Sequence, residues 1–246
     1  MARTALSLPD EAKTLPLTFG FVDDFFGLNS ALWTDVEGDA AGDVAIDADG
    51  VGGVVQCTVT TTNNEEAYTA GLENFKIQAG KPIELTGRLQ FTEAATDDAN
   101  IIFGLMDAWG ANQLVDDGVG PKATFDGACF YKIDGGTRWR VRTSNGTAYT
   151  DTELNYTAGQ AGYQTLRILI QPGHDGYAEV SYWIDQAGGN ALVQCREYGA
   201  TAREPDVKHR VLLASMTELA VGFGLKNGGA NSEALNVDYV SCFQAR

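Results

Sequence analysis

From residue 18 onward, apolar and polar positions alternate in short stretches, and most stretches end in glycine or asparagine. In Gln164 to Gln171, Leu166, Ile168 and Ile170 fall on one face. In Arg138 to Arg142, Trp139 and Val141 oppose three arginines. Val180, Tyr182 and Ile184 oppose Glu179, Ser181 and Trp183, and near the end Leu235, Val237 and Tyr239 share a side. Period-two patterning of this kind predicts β-strands with one face in a core. The predicted strands are Thr18 to Phe25, Val54 to Thr61, Ile83 to Thr92, Ile101 to Asp107, Ala128 to Ile133 and Arg138 to Thr143. Six more are Tyr163 to Gln171, Tyr177 to Ile184, Ala191 to Glu197, Val211 to Ser215, Leu219 to Leu225 and Ala234 to Cys242. Asp49-Gly50, Asn145-Gly146, Asp175-Gly176 and Asn227-Gly228 supply the positive φ that tight turns need.

No long stretch repeats at a helical period, and Glu65 to Gly71 and Thr201 to His209 are expected to hold at most a turn or two of helix. No internal repeat is visible, which argues against propellers and solenoids. Many short strands without a break predict an all-β fold, a two-sheet antiparallel jelly-roll sandwich spanning 18–246. Residues 1–17 differ. They hold Pro9 and Pro16 and lack clear periodicity, yet carry Leu6, Leu8, Leu15 and Leu17. This predicts an extended N-terminal arm whose leucines bind a partner surface, in a homo-oligomer or on another protein.

Charge narrows the function. The 246 residues carry 17 Lys+Arg and 33 Asp+Glu, a net −16. Such a chain is not expected to bind nucleic acid, which requires a basic surface, nor an anionic membrane. No stretch has the length of a membrane span, and Met1 to Glu11 has no apolar run of signal-peptide length, so synthesis without Sec export is expected. Cys57, Cys129, Cys195 and Cys242 lie far apart with no CxxC pair, and three sit inside apolar alternation. Buried free thiols are expected, with one or two disulfides as the alternative.

Candidate chemistry is sparse. His174 lies in a turn sequence and His209 in a charged run, and two histidines cannot make a three-histidine zinc site. There is no Gly-x-Ser-x-Gly elbow. Sandwiches that cleave polysaccharides use two acids on one face, often on a strand that alternates three acids, but no run of three alternating acids exists here, and the nearest, Asp47-Ala48-Asp49, runs into a turn. Asp23-Asp24, Glu65-Glu66, Asp97-Asp98 and Asp116-Asp117 are adjacent doublets that point to opposite faces, and most read as solvated turn acids. No catalytic residue, cofactor or metal ligand is assigned, although a loop calcium stays open at Asp43 to Gly50 or among Asp97, Asp98, Asp116 and Asp117. Of the four tryptophans, Trp33 and Trp139 read as core. Trp109, in a loop, and Trp183, opposite the core face, are possible glycan contacts.

Asp23-Asp24-Phe25-Phe26-Gly27-Leu28-Asn29-Ser30-Ala31-Leu32-Trp33 resembles the first strand of concanavalin A-like, laminin-G-like sandwiches, and Val237-Asp238-Tyr239-Val240 resembles their last. Gly127 to Asp134, Trp139-Arg140-Val141 and Tyr163 to Ile168 follow in an order similar to that of a group of tailed-bacteriophage virion proteins with this fold. Asp97 to Phe125 and Glu197 to Arg210 are longer than the corresponding family loops. The resemblance implies a non-enzymatic virion structural protein. It would decorate or cement the outer surface of a phage capsid assembled in the bacterial cytoplasm, with the major capsid protein or another virion protein as partner. The alternative is a carbohydrate-binding, lectin-like module with a tail-fibre or receptor-binding role. A glycoside hydrolase or lyase is the third possibility.

Overall fold

A computed structural model describes residues 18–36, 42–93, 98–159, 162–189, 191–200, 206–213 and 216–246. These residues form nineteen strands. In chain order they begin with β1 (Thr18–Asp23), β2 (Thr34–Asp35), β3 (Asp43–Ile46), β4 (Val55–Val59), β5 (Glu66–Ala70), β6 (Phe75–Lys76) and β7 (Ile83–Thr92). Next come β8 (Ala99–Met106), β9 (Leu114–Val115), β10 (Gly120–Pro121), β11 (Asp126–Lys132), β12 (Arg138–Asn145) and β13 (Tyr149–Thr157). The last are β14 (Gln164–Pro172), β15 (Tyr177–Asp185), β16 (Val193–Gln194), β17 (Lys208–Leu212), β18 (Glu218–Asn227) and β19 (Glu233–Ala245). The fold is the predicted all-β, antiparallel two-sheet sandwich.

One sheet has nine strands in the order β16-β15-β14-β7-β19-β4-β3, with β1 also on β19 and β17 on β15. The other large sheet has eight, β13-β12-β11-β8-β18-β5-β2, with β6 also on β18, and among the described residues β9 and β10 pair only with each other. Between the two large sheets lies the core. Leu166, Ile168, Ile170, Val180, Tyr182, Ile184, Leu235 and Val237 enter from the first sheet, and Phe103, Phe130, Trp139, Val141 and Phe223 from the second. Phe130 meets Tyr182 edge-on at 5.3 Å, so aromatic rings from both sheets interlock. Trp33 is buried as expected, with its indole N–H donating to Asp23 at 2.8 Å. All four cysteines are buried, and none forms a disulfide.

Several elements differ from the sequence reading. Tyr239 is not in the core, because a bulge between Val237 and Tyr239 shifts the register so that Val240 and Cys242 point inward instead. Glu65 to Gly71 is not helical. It contains β5, a fully buried strand, and Glu65 and Glu66 are buried rather than solvated. Ala191 to Glu197 holds only the two-residue β16, since the chain then crosses to β13, where Tyr198 N–H donates to Glu153 O at 2.8 Å. The strand expected at Val211 to Ser215 begins earlier, at Lys208. Tyr149–Thr157 is a nine-residue strand that its polar sequence did not suggest.

Candidate functional site

Alternation along the eight-stranded sheet leaves a second face, turned away from the core. It carries Glu66 and Tyr68 on β5, Gly222, Gly224 and Lys226 on β18, and Ile102, Gly104 and Met106 on β8. Cys129 and Tyr131 on β11 and Arg138, Arg140 and Arg142 on β12 continue it. This face has two parts.

The first part is covered. Between β8 and β11 the chain forms a strap, residues 107–125, which lies over it and buries Tyr68, Ile102, Met106, Leu114, Phe125, Cys129 and Tyr131 as a second apolar cluster. This explains why β5, β8 and β11 are buried along their whole length. Polar groups of the sheet hold the strap. Lys226, 1 % exposed at its side chain, reaches Glu66 at 3.3 Å, Asp116 at 2.5 Å and Asn112 Oδ1 at 2.7 Å. Glu66 accepts the Asn112 N–H at 2.9 Å. Leu114 N–H donates to Tyr68 OH at 3.3 Å, and Arg142 donates to Pro121 O at 2.5 Å. Gly120, at φ 96°, lets the backbone lie on the Tyr131 ring, 3.0 Å from where a Cβ would stand.

Trp109 belongs to this strap. Its indole rests on Gly222, where a Cβ would come within 2.4 Å of the ring, and its N–H donates to Ala220 O at 3.1 Å. Trp183 sits on the outer face of the nine-stranded sheet, its ring under Arg167 at 5.1 Å. Both are half-buried, and they lie on opposite outsides of the sandwich, so they do not form one platform. Leu6, Leu8, Leu15 and Leu17 lie outside the described residues.

The second part is open. Beyond the strap, β12, β13 and the 196–198 segment form the sheet margin. Arg140 pairs with Glu153 at 3.0 Å, and Arg142 with Asp151 at 2.6 Å. Tyr131 OH donates to Asp151 at 2.6 Å, and burial, reinforced by that carboxylate, pushes the phenol well above its ordinary range, so it stays a donor. Two tyrosines close the ends: Tyr149 is 52 % and Tyr198 54 % exposed. Arg142 stacks on Tyr149 at 4.3 Å and Arg138 on Tyr198 at 3.9 Å. The rings stand at β13 positions about four residues apart, on the order of 13 Å at the strand rise. Two exposed rings with planar donors and carboxylate acceptors between them suit a flat, hydroxyl-rich ligand. The alternation of Arg138, Arg140 and Arg142 was legible in sequence, but Tyr149 and Tyr198 were not, since the strands that align them were not.

Within β13, Asp151 and Glu153 each face an arginine rather than a second acid. Among the described residues, no group of three or more His, Cys, Asp or Glu side chains is placed to hold a metal ion.

No family model and no curated protein sequence matches this chain. Solved structures do share its fold. Peanut lectin, in complex with a nine-residue peptide, superposes with a TM-score of 0.61 at 12% identity, over 93% of this chain and 97% of the lectin. Endo-1,3-beta-glucanase from Streptomyces sioyaensis gives 0.59 at 15% identity, over 98% and 99%. The exoplasmic/lumenal domain of VIP36, in its form bound to Ca2+ and Man3GlcNAc, gives 0.55 at 14% identity, over 90% and 86%. The concanavalin A-like jelly roll inferred from the chain's two ends is thus the fold observed. The likeness to phage virion proteins finds no support in these comparisons.

Proposed function

We propose that this protein binds carbohydrate at the open margin of the eight-stranded sheet. The observation that carries the reading is the pair of exposed rings, Tyr149 and Tyr198, held by Arg142 and Arg138 on either side of Arg140 and Glu153. A sugar ring presents an apolar face edged by hydroxyls. Tyrosine matches both, because it has an apolar body and a polar tip. Stacking on guanidinium fixes each ring before ligand arrives, which lowers the ordering cost of binding. The lectin and the glycan-bound domain that share the fold support the same class of ligand.

The fold also serves a glucanase, so turnover is a separate question from binding. Binding without turnover fits better, since Asp151 and Glu153 are neutralised by arginine and the rest of the face lies beneath the strap. A capsid-decorating role has no observation of the fold in its favour.

A glycan array followed by calorimetry tests the proposal. Tyr149→Ala and Tyr198→Ala should each weaken binding of the best glycan by roughly tenfold, a loss of about 1.4 kcal/mol, while the melting temperature holds. An array with no bound glycan, or a double variant that binds like the parent, would remove the proposal. Product released from the bound glycan would replace it with an enzyme.

A further inference from the structure

At the opposite edge of the sandwich, where β1 of one sheet faces β6 of the other, a groove of about 330 Å3 opens. Phe19, Phe21, Leu32, Trp33, Leu72 and Phe75 line it. Phe19 stacks on Phe75 at 5.5 Å and Phe21 meets Trp33 edge-on at 5.9 Å, so the floor is aromatic and fixed. Leu32 and Leu72 on its rim are 47 % and 51 % exposed. Among the described residues β1 pairs only with β19, which leaves its other edge open beside the groove. A second depression shares Phe19 and Asn74 with the groove and is lined by Lys81, Arg246 and Lys76, the last already paired with Glu218 at 2.7 Å, on a chain of net charge −16. It lies at the Thr18 end of β1, where Thr18 pairs with Ala245.

We infer that this groove receives Leu6-Ser7-Leu8 from a second copy of the chain, laid antiparallel along the open edge of β1. Four observations converge on that occupant. Leu6 and Leu8 are two residues apart, so an extended strand presents both on one side, toward the aromatic floor. An open edge beside an apolar groove takes an added strand through main-chain hydrogen bonds. Asp10-Glu11 follows Leu8 by two to three residues, about 7–10 Å of strand, which brings these acids to the cationic depression. Running from Leu6 toward that depression is the antiparallel direction relative to β1.

The chain's own segment is a poorer match. To return along β1 it must reverse, and its turn-forming dipeptide is Pro9-Asp10. A turn at that dipeptide would fall too early in the sequence to bring Leu6 and Leu8 level with Phe19 and Phe21. A second copy needs no reversal. The inference is independent of the carbohydrate reading, because the tyrosine margin lies on β12 and β13 at the far edge of the sheet.

The test is a mixing experiment on the full chain. A Leu8→Cys chain and a Leu72→Cys chain are combined under mild oxidation. The four native cysteines are buried, so the introduced pair reports. A disulfide-linked heterodimer is expected, forming only when both variants are present. By light scattering the parent should self-associate, and Leu6→Ser/Leu8→Ser and Asp10→Lys/Glu11→Lys should each weaken association at least tenfold with unchanged folding. A parent that stays monomeric at high concentration would overturn the inference. So would cross-linking confined to a single chain carrying both cysteines, or a small apolar molecule found in the groove by native mass spectrometry.

Discussion

His209 lies between the sheets with both ring nitrogens occupied, Nδ1 by Thr143 Oγ1 at 3.1 Å and Nε2 by Thr152 Oγ1 at 3.0 Å. Tyr182 joins the network through Thr143 and by donating to Arg142 O at 3.1 Å. Burial pushes the imidazole from 6.5 down to about 4, and the Asp151 charge opposes this only in part. The folded protein therefore holds His209 neutral in a range where the unfolded chain binds a proton. Stability from this group is complete above pH 6.5, falls as pH drops toward 4, and changes no further below that. The span corresponds to about 3 kcal/mol. Urea denaturation from pH 7 to pH 4 should show this loss in the parent and not in His209→Gln. The difference between the two curves subtracts the carboxylates that titrate nearby. In sequence, His209 stands between Lys208 and Arg210 and reads as surface. The alternation of β17, with Lys208, Arg210 and Leu212 outward and His209 and Val211 inward, is what buries it.

At the scale of elements, the strap decides what the eight-stranded sheet can present. Its length was visible in the sequence as an unusually long loop between two strands. Its destination was not, because the anchors Glu66, Tyr68, Arg142 and Lys226 come from three strands spread over 160 residues. β5 shows the same thing: Glu65-Glu66 reads as a solvated acid pair until Lys226 and Asn112 are seen to meet Glu66. The Lys226–Glu66 pair is almost fully buried, so losing the cation strands a carboxylate in a low dielectric. Lys226→Met should cost about 3–5 kcal/mol in urea unfolding. Lys226→Met/Glu66→Gln should recover much of it, since a neutral amide at 66 still accepts the Asn112 N–H. A single variant as stable as the parent would show that these anchors do not hold the strap.

Across the whole molecule, the two sheets share one apolar interior that holds three of the cysteines, and the strap covers the fourth. Cys57 and Cys242 sit on the nine-stranded sheet, Cys195 beside its edge, and Cys129 beneath the strap. Burial raises the thiols of Cys129, Cys195 and Cys242 well above their ordinary range, which removes the reactive thiolate. Ellman's reagent should label none of the four in the native protein over hours, and all four once denaturant unfolds it. Partial labelling before the main unfolding transition would mean that one sheet opens without the other. The same architecture separates the two proposed surfaces, with the tyrosine margin at one end of the sheet order and the apolar groove at the other.

The sequence by itself determined the strands whose two faces differ in polarity, the glycine turns between them, and the burial of Trp139, Ile168 and the cysteines. Those features are local: side chains alternate along an extended backbone whatever it pairs with. Tertiary structure alone decided the rest. The bulge that turned Tyr239 outward depends on the register of β19 against β7. The polar strand β13 exists because Arg140 and Arg142 on β12 offer cross-strand partners to Glu153 and Asp151. Tyr149 and Tyr198, 49 positions apart in the chain, became one surface only when β13 and the 196–198 segment paired. A binding surface is a relation between strands, and strand order is set by which faces can be buried together, a condition no single stretch of sequence contains.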